Sequence, residues 1–458
     1  MNLDFFPLTD YANIVEGKAL RLNWEDIVPK NELNYIMGNP PFVGARLMTK
    51  SQKEDMELVF GKMKGLGNLD YVSAWYKKAC QFIDKTKISC DFVSTNSISQ
   101  GEQVDLLWQP LFNENNIVIN FAYQTFIWDS EASSKAHVHC VIIGFSNFPK
   151  ADKYIFASNN MVKKVNHINA YLVEAPDIFI STRRSPICQV TEMLFGSMPN
   201  DGGNLILEQK DNEELLKTFP DAEVFVRKFL GLKEFINKLD RWCIWITPEN
   251  LKDFLEVKPI VERIEKVKEH RLKSDRKATN ELANYSYRFG EVRQPESDYL
   301  LVQAVSFENR KYIPIGHEDK DTIASNAVLI IRDAETYNFA VICSNVHMAW
   351  MKVVAGRLKS DYKYSASIVY NNFPWPELIE VQKEKLNYTG QEILNARSLY
   401  KDWSYAELYN DLTMPPGLRK GHQENDKAVM EAYGFYWRTM TESECVAELM
   451  KLYQKSVE

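Results

Sequence analysis

The sequence predicts an α/β fold: a doubly wound sheet, then an α+β region, then an all-α region. Three observations carry that prediction. Over residues 1–170, short apolar runs alternate with segments of helical periodicity, the pattern of a sheet wrapped by helices. From 206 to 376, charge-laced helical and β-rich stretches are mixed. From 377 to 458, helical periodicity continues with few strand signals.

The elements follow in order. Leu33–Gly38 (LNYIMG) is a short apolar run closed by Gly-Asn-Pro-Pro, which predicts a buried strand leading into a loop. Residues 51–62 and 69–84 read as helices, 88–95 (ISCDFVST) as a strand and 102–113 as a helix. Ile117–Tyr123 and His137–Phe145 are two further β-rich runs, expected as an antiparallel pair at the sheet's edge. Residues 171–205 contain the Gly/Pro/Asn/Asp cluster 196–204, which predicts a linker or exposed turn. Next come a charged helix over 257–278 and β-rich runs over 299–315 and 327–332. A break at 371–376 (NNFPWP) leads into the final helices, which Met414-Pro415-Pro416-Gly417 interrupts. At about 150 residues per domain, 458 residues suit three domains: 1–170, 206–376 and 377–458.

Composition narrows the function classes. With 55 Lys+Arg against 62 Asp+Glu the net charge is −7, which excludes indiscriminate binding as a polycation but leaves local basic patches open. Seven widely spaced cysteines with no CxxC pair argue against disulfide frameworks and zinc ribbons, and point to a reducing cytoplasm. No basic n-region opens the chain, and no apolar run approaches the roughly 20 residues of a membrane span.

The chemistry concentrates in Asn39-Pro40-Pro41-Phe42, at the C-terminal end of the first strand, where open α/β sheets place their sites. The tetrapeptide suits methylation of an exocyclic amine, whose lone pair is delocalised into a ring. The Asn39 side-chain carbonyl and the Pro40 backbone carbonyl can each accept one amino N–H. That steers the nitrogen toward tetrahedral geometry and aims its lone pair at a methyl donor. The prolines fix φ and remove competing N–H donors, so the acceptors are preorganised. Phe42 offers a face for an extruded base. An ordinary Asn-Pro turn is the alternative.

Further runs accompany the motif: Leu69–Tyr76 (LDYVSAWY), Phe92–Gln103 (FVSTNSISQGEQ) and Lys135–His139 (KAHVH). Beyond them lie Tyr312–Gly316, Gly356–Tyr362, Asn371–Pro376, Met414-Pro415, His422, Asn425-Asp426 and Ala432–Phe435. The succession resembles the amino-group DNA methyltransferases of the MmeI-type restriction–modification family, and covers nearly the whole chain. The resemblance implies a partial Rossmann-like methyltransferase sheet, an α+β target-recognition domain and a helical C-terminal domain. It implies transfer from S-adenosylmethionine to adenine N6 in duplex DNA, without a metal, within a type II restriction–modification enzyme of the cytoplasm.

Carried over residue by residue, the resemblance gives Asn39 and Pro40 the target amino group and Phe42 the base. Pro41 would lie against the cofactor and Trp75 against its adenine, unless Trp75 is a core residue. Phe126 or Trp128 would stack on the far side of the flipped base; a core role is the alternative for each. Gly17–Trp24 resembles the strand that meets the cofactor's adenine, but Lys18 stands where an acceptor is usual, and an ammonium cannot accept. No strand–GxG–helix unit precedes Asn39, and Gly65-Leu66-Gly67 lies between predicted helices. The expectation is therefore the C-terminal portion of a longer enzyme, with an upstream cofactor-binding and nuclease segment as partner.

For base readout the candidates are Ser306, Glu308, Arg310, Arg357, Lys359 and Asp361, since Arg grips guanine, Glu accepts from cytosine and Ser serves several bases. Surface ion pairs are the plain alternative. The basic residues of 261–277 (Arg263, Lys266, Lys268, Arg271, Lys273, Arg276, Lys277) read either as phosphate contacts or as a solvated helix. His137 and His139 share a strand face but close no zinc site and are taken as structural. Asp91 and Glu102 form no convincing metal pair. Two rival readings remain: a catalytically silent DNA-specificity module, and a methyltransferase acting on RNA or protein amides.

Overall fold

A computed structural model describes residues 13–128, 138–157 and 161–458, which divide into two compact units, 1–181 and 182–458. Among the described residues of the first unit, six strands form one sheet. They are β1 (Tyr35–Gly38), β2 (Ser89–Thr95), β3 (Val118–Trp128), β4 (Val138–Ser146), β5 (Lys153–Phe156) and β6 (Val162–Val165), in spatial order β1-β2-β4-β3-β5-β6. Helices α1 (Lys50–Phe60), α2 (Ser73–Phe82) and α3 (Glu102–Asn115) connect the first of them. The β1–β2 and β3–β5 pairs are parallel; β2–β4, β3–β4 and β5–β6 are antiparallel.

The expected α/β order is present, with two differences. The β3–β4 pair is antiparallel but lies inside the sheet, because β5 and β6 extend it beyond β3. And β1 is an edge strand, not a buried one: Tyr35 and Met37 are 61% and 76% exposed, since no helix covers that face among the described residues.

The core beside β2 is aromatic. Tyr76 of α2, Trp108 of α3, Phe92 of β2 and Phe145 of β4 pack with ring centroids 5.2–6.5 Å apart. All four are buried. Their polar atoms are satisfied: the Tyr76 hydroxyl pairs with Ser94 Oγ at 2.8 Å, and Trp108 Nε1 donates to Ile98 O at 2.8 Å. Burying each ring is worth about 1.5–3 kcal/mol. The cluster thus fixes the strands whose ends carry the site.

The second unit holds two four-stranded sheets and one three-stranded sheet with helices around them. Of the two expectations for 196–204, a linker or an exposed turn, the structure shows a turn, with Gly202 and Gly203 exposed, that is tied into the fold on both sides. Met193–Phe195 just before it pairs with Val328–Arg332, and Ser197 and Asp201 are buried. Asp201 accepts the amides of Gly203 and Leu205, so the turn closes on itself.

The final helices (Glu380–Ser398, Tyr405–Leu408, Pro416–Ala432 and Glu442–Val457) are fastened to the preceding region by a buried polar network. The Tyr312 hydroxyl donates to Asp426 Oδ2 at 2.6 Å, and Asp426 Oδ1 accepts the Asn345 amide at 2.8 Å. The Tyr312 ring stacks on His422 with centroids 4.1 Å apart. His422 Nε2 meets the Tyr409 hydroxyl at 2.9 Å, and Arg397 donates to that hydroxyl and to Ile315 O. Because Arg397 supplies donors to the Tyr409 oxygen, the hydroxyl's own proton points at His422, which burial keeps neutral.

Candidate active site

The sheet brings the Asn39–Phe42 loop, the end of β2 and the aromatic candidates of β3 to one end. Gly38, the last residue of β1, pairs with Phe92. Beyond that row, Thr95 of β2 faces Cys140 of β4, and Cys140 faces Phe126 of β3. The loop after Gly38, the end of β2 and the end of β3 therefore share one edge of the sheet. Three strand spacings of about 4.8 Å separate β1 from β3, so the aromatic ends lie on the order of 14 Å apart.

Asn39 is exposed, and its side chain has no hydrogen-bond partner among the described residues. Pro40 is buried, Pro41 exposed and Phe42 half-buried. A free amide carbonyl thus projects from a loop whose backbone is anchored on both sides. On the far side, Val43 O accepts the Tyr71 amide at 2.9 Å.

The main anchor is Asp70, a residue to which the sequence motifs give no role. It is buried. Its Oδ1 accepts the Ala45 amide at 2.9 Å, and its Oδ2 accepts the hydroxyls of Ser97 and Thr95. Its own amide donates to Gln103 Oε1 at 3.1 Å. One carboxylate so joins the Asn39–Phe42 loop to the end of β2, and its backbone joins both to α3. The sequence offered a signal: an Asp in an otherwise apolar approach to a helix, followed later by the hydroxyl-rich Ser94–Ser99 turn.

The base-stacking candidates are better exposed than core residues would be. Phe126 is half-buried and Trp128 is 42% exposed. Their rings lie 6.4 Å apart, and a bulge between Tyr123 and Phe126 turns this end of β3 relative to the rest of the strand. Trp75, on α2, is half-buried and packs edge-on to Tyr71 at 5.1 Å.

Lys18 behaves differently from the expectation. Gly17–Trp24 is a turn, not a strand, closed by the amides of Arg21 and Leu22 on Lys18 O. Lys78 holds it by donating to the carbonyls of Leu20 and Leu22. The Lys18 ammonium donates to Ser51 Oγ at 2.6 Å and lies 3.8 Å from Asp55. Burial pushes the Asp55 carboxyl up, but hydrogen bonds from Arg21 and Tyr71 outweigh it and hold the group below the usual carboxylate range. Lys18 is therefore one cation of an ion-pair cluster on α1. His139 is half-buried on β4, and His137 lies outside the described residues.

All six readout candidates converge on the small sheet formed by Val305–Ser306, Asp361–Lys363 and Gly356–Leu358. They are not equally presented. Ser306 is buried. Arg310 is buried too, donates to Gln303 Oε1 at 3.2 Å and lies over the Phe307 ring. Arg357 stacks on Tyr362 at 3.7 Å and donates to Ser360 O at 2.6 Å, with Glu308 3.9 Å away. Glu308 is exposed, Asp361 is half-buried, and Lys359 stands exposed at the hairpin tip with φ +59°.

The basic helix is Lys258–Leu272, and two of its candidates are occupied. Arg271 is fully buried and donates to the carbonyls of Pro199, Asn200, Leu282, Tyr285 and Arg288. Arg263 donates to Asn204 O and Ile206 O and pairs with Asp211. For Arg271 the phosphate reading is corrected: five inward donors leave none for solvent.

Three family descriptions match the chain in order: the MmeI DNA-methyltransferase domain over 1–157, the MmeI target recognition domain over 174–377 and the MmeI C-terminal domain over 379–458. DNA methyltransferase A of Bacillus subtilis (strain 168) is 39% identical over 455 residues, 99% of this chain and 51% of that protein. The Type IIL restriction-modification enzyme MmeI, solved in complex with DNA, superposes with a TM-score of 0.90 at 41% identity, covering 98% of this chain and 61% of that one. The chain thus spans about half the length of the curated relative it matches.

Proposed function

This chain belongs to the MmeI family, and from that premise we propose that it carries the catalytic loop and the target recognition of a site-specific DNA adenine-N6 methyltransferase. The observation that supports this most directly is the exposed, unpartnered Asn39 carbonyl on a loop clamped by Asp70 at the C-terminal end of β1.

The residues act by position. A target adenine swung out of the duplex would enter beside Phe42, with Phe126 or Trp128 closing the far side. Asn39 Oδ1 and Pro40 O would accept the two amino hydrogens. Accepting both pulls the nitrogen lone pair out of conjugation and points it away from the ring. Pro40 and Pro41 keep the two acceptors from reorienting, so the gain is preorganisation. S-adenosylmethionine, the donor expected for this family, would supply an activated methyl group when bound. Pro41, exposed beside Asn39, and Trp75, half-buried on α2, fit its apolar surface. Lys18 does not fit, being a donor already engaged by Ser51 and Asp55.

Target readout would fall to the small sheet, with Glu308, Arg357 and Lys359 the side chains best presented to base edges. Ser306 and Arg310 support them from inside.

The deciding experiment incubates the protein with labelled S-adenosylmethionine and unmethylated duplex DNA, digests the product and identifies the labelled nucleoside. Label in N6-methyladenine is expected, and Asn39→Ala should abolish it while duplex binding persists. In the same assay with RNA and protein added in competition, label in RNA or a protein amide would replace the substrate, and full activity of Asn39→Ala would overturn the mechanism. DNA binding with no transfer at all would reassign the chain as a recognition module.

A further inference from the structure

Immediately after the Asn39–Phe42 loop, the chain builds one wall of a cleft of about 820 Å³. Ala45, Arg46 and Met48 form that wall, α1 contributes Lys53 and Met56, and the segment 61–67 closes the opposite side with Lys62 and Lys64. Arg46, Lys53, Lys62 and Lys64 are all exposed, and among the described residues none of them forms an ion pair. Among the described residues, the one acidic side chain on the lining is Glu57. A local excess of three positive charges in a chain of net charge −7 is a directed field, not a compositional accident.

The cationic wall is also held in shape. Gly65 has φ +84°, a conformation open to glycine, and a Cβ there would meet Leu106 of α3 at 2.9 Å. Asn68 donates to Glu102 of α3 at 3.2 Å, and its amide donates to Gly65 O at 2.8 Å. Segment 61–68 is therefore a shoulder braced on α3, which presents Lys62 and Lys64 at a fixed place.

We infer that this cleft binds the phosphodiester backbone of the strand whose base enters the Asn39–Phe42 loop; the inference rests on the methyltransferase reading. A base leaves the stack by rotation about its own backbone, so its flanking phosphates stay at the mouth of the pocket. Arg46 is four residues from Phe42, at most about 14 Å along an extended chain. The unpaired cations next to the loop are thus where those phosphates arrive. They hold the backbone without reading sequence. The Met48, Met56 and Met63 side chains around them give a floor that adapts to sugar and backbone.

The test measures binding of the protein to a random-sequence 30-base-pair DNA duplex as a function of salt, for the wild type and for K53A/K62A/K64A. These side chains are exposed, so the triple variant should melt with the wild type, and a circular-dichroism melt checks this. Removing three phosphate contacts should lower the slope of log affinity against log salt by about 2.7, at roughly 0.9 per contact. A control duplex differing in sequence should lose affinity by the same factor. A triple variant with unchanged slope and affinity overturns the cleft assignment while leaving the methyltransferase reading standing. A wild type that binds no duplex overturns both. Loss of affinity on one sequence but not on the other would make these lysines readers of bases and overturn the backbone assignment.

Discussion

Asp70 shows how much of the proposed chemistry depends on one residue that does no chemistry. Its carboxylate takes the Ala45 amide on one oxygen and two hydroxyls on the other. Asp70→Ala would leave the half-buried Ala45 amide unpaired, at a cost of about 1–3 kcal/mol, while the Thr95 and Ser97 hydroxyls would keep only each other, 2.9 Å apart. The loop would also lose its anchor, and a displacement near 1 Å can lower transfer about 100-fold. Asp70→Asn keeps a carbonyl for the Ala45 amide but loses one charged acceptor, so it should recover much of the rate. The expected signature in steady-state transfer assays is a fall in kcat with little change in the KM for DNA, partly rescued by Asn. Equal loss in both variants, or a change confined to KM, would count against a positioning role.

At the scale of elements, Arg271 separates two readings of one helix. Arg271→Met should destabilise the 182–458 unit by at least about 3 kcal/mol, since several buried carbonyls lose a charged donor at once. A phosphate-contacting Arg would behave oppositely, leaving the denaturant midpoint unchanged and reducing the salt dependence of DNA binding. Most elements were legible beforehand for a simple reason. The strands and helices of the first unit carry strong apolar periodicity, and Asn39–Phe42 lies where a strand must end. What was not legible depended on partners distant in sequence. Arg271 lies on a helix that looks solvated, and only the carbonyls of residues 199, 200, 282, 285 and 288 make it a core residue. Lys18 lies in a segment that looks like a strand, but Lys78 and Asp55 draw it into a turn. The six readout candidates lie together about one small sheet, yet nothing in the sequence distinguishes buried Arg310 from exposed Lys359.

The second unit has a pH response that can be worked out from two of its residues, Glu318 and His347. Burial, with help from Asp319, pushes the Glu318 carboxyl up to about 7, so the folded state prefers it protonated. A raised carboxyl pKa contributes stability that is full below the unfolded value near 4.3 and is lost as pH rises through about 7. Burial lowers His347 to about 3, so its contribution runs the other way. It is present above about 6.5 and lost as pH falls toward 3. Glu318→Gln removes the first slope alone. Thermal melts should show the variant and the wild type together near pH 4, with the variant gaining on the wild type by a few degrees as pH rises past 7. A melting difference that does not change with pH would mean that Glu318 ionises freely in the folded protein.

The Tyr312–His422–Asp426 network has a practical consequence for dissection and grafting. The break at 371–376 looks like a natural place to cut, and the recognized C-terminal region begins just after it, at 379. Yet a cut there would take Asp426 from Tyr312, and Arg397 from Ile315 O. The upstream piece would be left with a buried phenol lacking its acceptor, and the downstream piece with an arginine stripped of its cover. Limited proteolysis should therefore spare 371–379 in the folded protein. Chimeras that exchange recognition specificity should carry residues 182–458 as a single cassette, because a graft that ends at 376 inherits a broken core along with its new target.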